Sequence, residues 1–192
     1  MDFLRKLRPM KKVSREEIRK PAEYAAVRDE FRRSVLAQKD RRRIHVGEYL
    51  TFLFENHDTV LYQIQEMIRT ENITAEPEIQ HERATYNELL GERGELGCTL
   101  LIEIDDAAKR TELLASWKDL PATLFIETQG GTRVPAQFDT RQVGEGRISS
   151  VHYLKFSLGD QVPRTVGSSH PGIAAETALS PEQVMALCQD LA

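Results

Sequence analysis

Apolar residues recur at helical spacing along much of the first half of the chain. Pro21 suits the first turn of a helix, and the residues after it repeat every three or four positions: Tyr24, Val27, Phe31 and Val35. This spacing predicts a helix that ends at about residues 39–42. Just before it, Ser14 and Glu17 have the spacing of a capping box, which indicates an earlier helical start.

A second helical pattern begins after Phe54. Asn56 or Asp58 can cap a helix from about Thr59 to Thr70. One face of this helix carries five apolar residues and one acid, which are Val60, Leu61, Ile64, Met67, Ile68 and Glu71. Another helix is predicted from about residue 76 to residue 90. The segment 43–54 fits two structures, since Gly47-Glu48 could form a hairpin turn between strands or the segment could remain helical. We favour the hairpin.

Residues 91–94 contain two glycines and interrupt the helical pattern. After them, apolar residues recur at every second position, which predicts strands. The strand at 98–104 is followed by a helix that bears Leu113, Leu114 and Trp117. Segments 122–128 and 132–138 flank Gln129-Gly130-Gly131 and predict a hairpin. A strand over about 147–158 would turn His152 inward, and Ser180-Pro181 opens a last helix.

These elements predict one α+β domain over residues 1–192. Its mainly helical N-terminal half (14–91) packs on a mixed, largely antiparallel β-sheet with a C-terminal helix (95–192). With 192 residues, of which 40% are hydrophobic and 29% charged, the chain is long enough for one sizeable core. It lacks an apolar run of membrane-spanning length and an apolar signal core at the N-terminus, so we expect a cytoplasmic protein.

Positive charge is concentrated in the first 43 residues, although the net charge is −4. A basic face at Arg41–Arg43 could dock on an acidic protein or on nucleic acid. Nucleic acid is disfavoured, because the basic stretch has few aromatic residues for base stacking. Two cysteines, Cys98 and Cys188, are too few for a disulfide framework or a cysteine metal site, and both are expected to be packed.

Polar residues are unusually dense between residues 54 and 89, and three interpretations remain open. In the first, Glu78 and His81 stand one helical turn apart, as in diiron proteins. Further ligands would complete a site for iron or another divalent metal: Glu66, Glu71, Glu82 and His152.

The second interpretation is a structural polar network. It would join two helices through Gln63, Gln65, Glu66, Arg69 and Asn87. The third is acid/base catalysis without metal, in which burial raises the pKa of Glu71 and Arg69 or His81 orients an anionic substrate. Tyr86 would also belong to this site.

The chain resembles a known family over nearly its whole length from about Ser14. The similar sequence segments are 54–56, 58–60, 63–69, 86–89, 151–156 and 190–191. The run Gln63-Ile64-Gln65-Glu66-Met67 is the most specific. The chain is similar to the bacterial family catalogued as domain of unknown function 3501 (DUF3501).

The resemblance implies an accessory role in redox or peroxide-stress metabolism, because such genes often lie beside those for rubrerythrin and an iron-sulfur oxidoreductase subunit. Either of these is therefore an expected redox partner, and we also expect a homo-oligomer. Matching positions add Glu55, Gln63 and Asn87 as candidates without assigned roles.

Overall fold

The computed structural model describes residues 12–140 and 146–192. Five α-helices are present in this part of the chain: α1 (Pro21–Asp40), α2 (His57–Thr70), α3 (Glu76–Asn87), α4 (Ala107–Ser116) and α5 (Pro181–Asp190). Nine strands accompany them: β1 (Arg43–Val46), β2 (Leu50–Phe54), β3 (Glu95–Ile102), β4 (Leu124–Thr128), β5 (Arg133–Pro135), β6 (Gln137–Phe138), β7 (Val151–Ser157), β8 (Pro163–Ser168) and β9 (Ala175–Ala178). Short 3₁₀ turns lie at Arg15–Glu17 and Leu120–Thr123.

The strands form two antiparallel sheets. One has the order β1-β2-β3-β7-β6, and the other has the order β5-β4-β8-β9. A hydrophobic core contains residues from both sheets, among them Phe52, Leu100 and Phe156 from the first and Ile126 and Val166 from the second. The predicted α+β class with a C-terminal helix is confirmed, and the strands are divided between two sheets.

A second, smaller core holds the helices. The α2 residues Val60, Ile64 and Ile68 pack with Ile79 of α3, and Val13 and Ile18 of the N-terminal segment close this cluster. Asn56 caps α2, since its side-chain oxygen accepts a hydrogen bond from the Thr59 amide at 3.0 Å. The apolar stripe therefore turns towards the other helices, as its spacing predicts.

The hairpin predicted over residues 43–54 is confirmed. Strands β1 and β2 pair with Ile44 opposite Phe52, and Gly47 in the turn has φ +64°, a left-handed conformation that glycine adopts without strain. Ser14 and Glu17 do form a capping box, since the Ser14 amide donates to Glu17 Oε2 at 2.8 Å. The helical start that they cap is only the three-residue 3₁₀ turn.

One predicted strand is split between the sheets. Strand β5 pairs with β4, whereas β6 pairs with β7, and the buried Ala136 separates them. The chain thus passes from one sheet to the other within residues 133–138. As a result, Gln137 and Phe138 lie beside Lys155 and Leu154 at the edge of the five-stranded sheet.

Helix α3 approaches the five-stranded sheet closely at Gly97 of β3. A Cβ atom at this position would lie 1.8 Å from the Leu89 carbonyl oxygen, far inside van der Waals contact. Glycine is therefore required if the chain after α3 is to rest on the sheet. This contact sets the position of the α3 end relative to β7. No helix in the described residues is both long and apolar enough to cross a membrane.

Candidate functional site: a cleft between helix α3 and the sheet

A cleft of about 560 Å³ opens between the end of α3 and strands β6 and β7. Its lining combines apolar, aromatic and charged side chains: Glu82, Thr85, Tyr86, Glu88, Leu89, Cys98, Gln137, Phe138, Asp139, Tyr153, Leu154 and Lys155. This volume lies within the range of about 300–1,000 Å³ that is typical of sites for small organic ligands. The cleft is the candidate functional site.

Helix α3 and the residues after it provide one wall. Glu82, Tyr86 and Leu89 are spaced by four and three positions, so they lie on one face of the helical segment. All three are partly buried, whereas Thr85 beside them is exposed. The helix therefore presents an aromatic ring, an aliphatic side chain and a carboxylate to the cleft.

Strand β7 provides the opposite surface. Because successive strand residues point to opposite faces, Tyr153 and Lys155 share a face while Leu154 points into the core. Tyr153 is 50% exposed, a large fraction for an aromatic residue in a central region of a sheet. Gln137 of β6 extends this face, since it is opposite Lys155 in the strand pairing, whereas Phe138 is opposite Leu154 and shares the face that Leu154 occupies.

Acidic groups outnumber basic groups among the lining residues within 12–140 and 146–192. Glu82, Glu88 and Asp139 are carboxylates, and Lys155 is the basic residue of this described part of the lining. The Lys155 ammonium lies 3.5 Å from Glu95 and is paired with it. Among the described residues, the Glu82 and Glu88 side chains have no hydrogen-bond or ion-pair partner, although both line the cleft.

Two titratable groups in the lining are held in their neutral forms. Burial, followed by the nearby Glu82 carboxylate, raises the pKa of Tyr86, so the phenol stays protonated at neutral pH. Burial also raises the pKa of the Cys98 thiol well above its usual value. Cys98 is therefore packed rather than reactive, as expected from its place on a strand.

The structure does not bring the predicted metal ligands together. Glu78 and His81 are exposed on α3, because this helix turns Ile79 and Asn87 inward. His152 is fully buried, and its Nε2 lies 2.9 Å from the Ser149 carbonyl oxygen. Only Glu82 of the proposed ligands lines the cleft. In residues 12–140 and 146–192, no three His, Cys, Asp or Glu side chains form a group that could hold a metal ion.

Glu66, also proposed as a ligand, is instead bound within an ionic cluster. It accepts hydrogen bonds from the Tyr24 hydroxyl at 2.7 Å, from Arg28 at 2.7 and 2.9 Å, and from Arg69 at 3.2 Å. These hydrogen bonds lower the pKa of Glu66 to about 2, and the bond with Arg28 contributes most. The cluster joins α1 to α2 and leaves Glu66 saturated by cationic and hydroxyl donors.

The expected burial of Glu71 is wrong. Helix α2 ends at Thr70, and Glu71 is an exposed residue at its C-terminal cap. An exposed carboxylate is not desolvated, so the burial on which the proposed catalytic role of Glu71 depends is absent. The Arg69 side chain is 42% exposed and is engaged with Glu66. Of the three proposed catalytic residues, the cleft contains Tyr86 alone.

The remaining candidates have structural partners. Glu55 is buried and accepts hydrogen bonds from Thr59 at 2.6 Å, Thr99 at 2.9 Å and Gln63 at 3.2 Å. Thr99 is opposite Tyr153 in the strand pairing. Glu55 is therefore linked to this lining residue of the cleft through Thr99. The Asn87 side chain accepts a hydrogen bond from the Val13 amide at 2.8 Å and donates one to the Val13 carbonyl oxygen at 2.9 Å. These contacts tie the N-terminal segment and α2 to their neighbours.

The basic face proposed at Arg41–Arg43 is not continuous. Arg41 and Arg43 are exposed, but Arg42 is buried and paired with Asp190. Arg15 and Arg28 are paired with Glu76 and Glu66. Part of the described basic region is therefore neutralised within the molecule. Arg5, Lys6, Arg8 and Lys11 lie outside the described residues.

Sequence reasoning missed the β6–β7 side of the cleft. The alternation in 147–158 correctly turned His152 inward, and in the structure Tyr153 lies on the opposite face with Val151 and Lys155. A large aromatic on that face was the available signal, since outward positions of a half-exposed sheet are usually polar. Nothing local indicated that Phe138 would pair with β7.

Two comparisons with known proteins match nearly the whole chain. The model of the family described as "Protein of unknown function (DUF3501)" matches residues 12–191. A crystal structure at 1.90 Å resolution, described as a novel protein of unknown function from Burkholderia pseudomallei, is 28% identical in sequence. The match covers 95% of this chain and 100% of that chain, with a TM-score of 0.86. Comparison with curated proteins gave no match.

Proposed function

We propose that this chain, which belongs to the DUF3501 family, binds a small amphipathic organic molecule in the cleft between α3 and strands β6 and β7. The family resemblance drawn from the run at residues 63–69 is confirmed by a match over residues 12–191. The observation that carries the proposal is the cleft itself, whose 560 Å³ is lined by two tyrosines and a phenylalanine.

The composition of the lining supports binding of an organic molecule rather than an inorganic ion. Tyr86, Phe138 and Tyr153 supply flat apolar surfaces, and Leu89 adds aliphatic surface. Aromatic rings that line a concave surface bury ligand area at low conformational cost. Tyr153 is half exposed, so a ligand that covered its ring would remove apolar area from water, at about 25 cal/mol per Å².

The lining also favours binding over nucleophilic catalysis. Its cysteine, Cys98, is buried with a raised pKa, and a protonated thiol is a poor nucleophile. The accessory role in redox or peroxide metabolism that the family resemblance implies is a separate proposal. In that role, the molecule bound in this cleft would be a substrate, a product or a signal of redox or peroxide metabolism.

The test uses the neutral fluorescent probe N-phenyl-1-naphthylamine, which brightens when it leaves water for an apolar site. We expect saturable binding to the full chain. Thr85→Trp should weaken binding at least tenfold, because Thr85 is an exposed lining residue and the added ring would fill the cleft. Ala84→Trp, at the exposed neighbouring position outside the lining, is the matched control and should bind as the unmodified chain does.

Two results would overturn the proposal. One is an absence of saturable probe binding to the unmodified chain. The other is equal binding by the Thr85→Trp and Ala84→Trp variants, since the probe would then occupy another surface. Circular dichroism on both variants checks that each is folded, so that a loss of binding is attributed to the filled cleft.

A further inference from the structure

We propose that the ligand of this cleft is an organic cation, a molecule with a protonated amine or quaternary ammonium joined to an apolar body. This inference rests on the proposed binding function and assigns the chemical class of the ligand. Three features of the lining carry it: its charge balance, the lack of protein partners for two of its carboxylates, and its aromatic rings.

The charge balance is negative among the lining residues that the structure describes and that lack a protein partner. Glu82 and Glu88 contribute two such carboxylates, and the basic residue in the described lining is Lys155. Its ammonium is paired with Glu95 at 3.5 Å, so it adds little positive charge for a ligand. An anionic ligand would face uncompensated repulsion here, whereas a cation would be attracted into the cleft.

Glu82 is the residue best placed to meet the charged group. Its side chain is partly buried on the α3 wall, one helical turn before Tyr86, and it makes no hydrogen bond or ion pair with any described residue. A partly buried carboxylate without a protein partner is free to pair with a cationic group of the ligand, and such a pair is screened less by solvent than one on the open surface. Glu88, at an exposed position near the end of the same wall, would add a longer-range attraction.

The aromatic residues suit a cation as well as an apolar body. A cationic group within about 6 Å of a ring centroid is attracted to the ring face, and the attraction grows when water is excluded. Tyr86, Phe138 and Tyr153 offer three such rings in one cleft. The raised pKa of Tyr86 keeps its phenol neutral. Carboxylates beside aromatic rings are the combination by which proteins recognise alkylammonium groups.

The experiment compares three probes of nearly equal size and shape: 2-naphthylmethylammonium, 2-naphthylmethanol and 2-naphthoate. Binding to the full chain is measured by calorimetry at pH 7 and low salt. We expect the cation to bind about tenfold more tightly than the alcohol, which corresponds to about 1.4 kcal/mol, and the anion to bind most weakly. The advantage of the cation should shrink as salt is raised.

Glu82→Gln tests the residue assignment, because it removes the charge and keeps the shape. It should lower the affinity for the cation about fivefold and leave the affinity for the alcohol unchanged. Glu88→Gln is a second variant at an exposed position and should give a smaller loss. Glu78→Gln, exposed on the same helix and outside the lining, is the matched control and should change neither affinity.

The outcomes separate the two proposals. If none of the three probes binds, the binding function fails and this inference fails with it. If the alcohol or the anion binds as tightly as the cation, the binding function stands and the assignment of a cationic ligand is overturned. The same conclusion follows if neither Glu82→Gln nor Glu88→Gln changes the ratio of cation to alcohol affinity.

Discussion

Arg42 and Asp190 form a buried, two-pronged ion pair although they are 148 positions apart in the sequence. The Arg42 Nε donates to Asp190 Oδ2 at 2.7 Å, and Nη2 donates to Oδ1 at 2.9 Å. Both side chains are less than 10% exposed. The pair joins the chain just after α1 to the last turn of α5.

Arg42→Met is expected to destabilise the fold by about 3 to 5 kcal/mol, because it leaves the Asp190 carboxylate buried without its cation. The free energy of unfolding from urea titration measures this loss. Arg41→Met, at the exposed neighbouring position, is the control and should change stability little. The double variant Arg42→Met/Asp190→Leu should recover most of the loss, and a double variant as unstable as the single one would contradict this account.

Glu66 should govern part of the acid sensitivity of the protein. Hydrogen bonds, chiefly from Arg28, lower its pKa to about 2 from an ordinary value of 4.5. A lowered pKa in the folded state adds stability above pH 4.5, and this stability is lost as the pH falls towards 2. We therefore expect the free energy of unfolding to fall less steeply over this range in Glu66→Gln than in the unmodified chain.

Glu71→Gln is the matched control for that measurement. Glu71 lies at the C-terminal cap of the same helix but is exposed, so its removal should leave the acid limb of the stability curve unchanged. Identical pH dependence in Glu66→Gln and Glu71→Gln would show that the Glu66 cluster does not contribute.

His57 should make the folded protein less stable as the pH rises, whereas Glu66 makes it less stable as the pH falls. Its Nδ1 lies 3.0 Å from Asp58, and its Nε2 lies 3.2 Å from Glu17 in the N-terminal segment. The hydrogen bond with Asp58, and then the Glu17 carboxylate, raise the pKa of His57 above 6.5. A raised pKa gives stability that is complete below pH 6.5 and is lost as the pH rises through the folded-state value.

The His57 prediction is checked by unfolding between pH 5.5 and 8.5, and by NMR titration of the imidazole. The unmodified chain should lose stability over this range relative to His57→Gln. The comparison variant is His81→Gln, which removes an exposed histidine and should preserve the loss. A His57 pKa at or below 6.5 would disprove the prediction.

Gly97→Ala should damage both the fold and the cleft. The added Cβ would lie 1.8 Å from the Leu89 carbonyl oxygen, so the end of α3 must move away from β3. Overpacking of this kind costs about 1–3 kcal/mol or more. We expect lower stability and weaker binding of N-phenyl-1-naphthylamine. In Gly130→Ala the nearest atom would be 3.8 Å away, and neither property should change.

The local parts of the fold were predictable from the sequence. Asn56 caps α2, Pro21 starts α1, and the alternation around His152 turns that residue inward. Each of these depends on a few neighbouring residues. Glu71 was misplaced because the stripe was extended one residue past the end of α2, where the chain leaves the core.

The site was only partly predictable, because its walls come together through distant contacts. Glu82 and Tyr86 were recognised from their dense polar surroundings, and both line the cleft. Glu78 and His81 have the spacing of metal ligands, but spacing alone does not say which face of α3 is buried. The positions of Phe138 and Tyr153 depend on the pairing of β6 with β7, which no local pattern specifies.

The passage of residues 133–138 from one sheet to the other also bears on the cooperativity of unfolding. Strand β5 is hydrogen-bonded to β4, and β6 to β7, with only Ala136 between them. Sliding of one sheet over the other would break one of these pairings. Because the two sheets also share one hydrophobic core, we expect them to unfold as one cooperative unit.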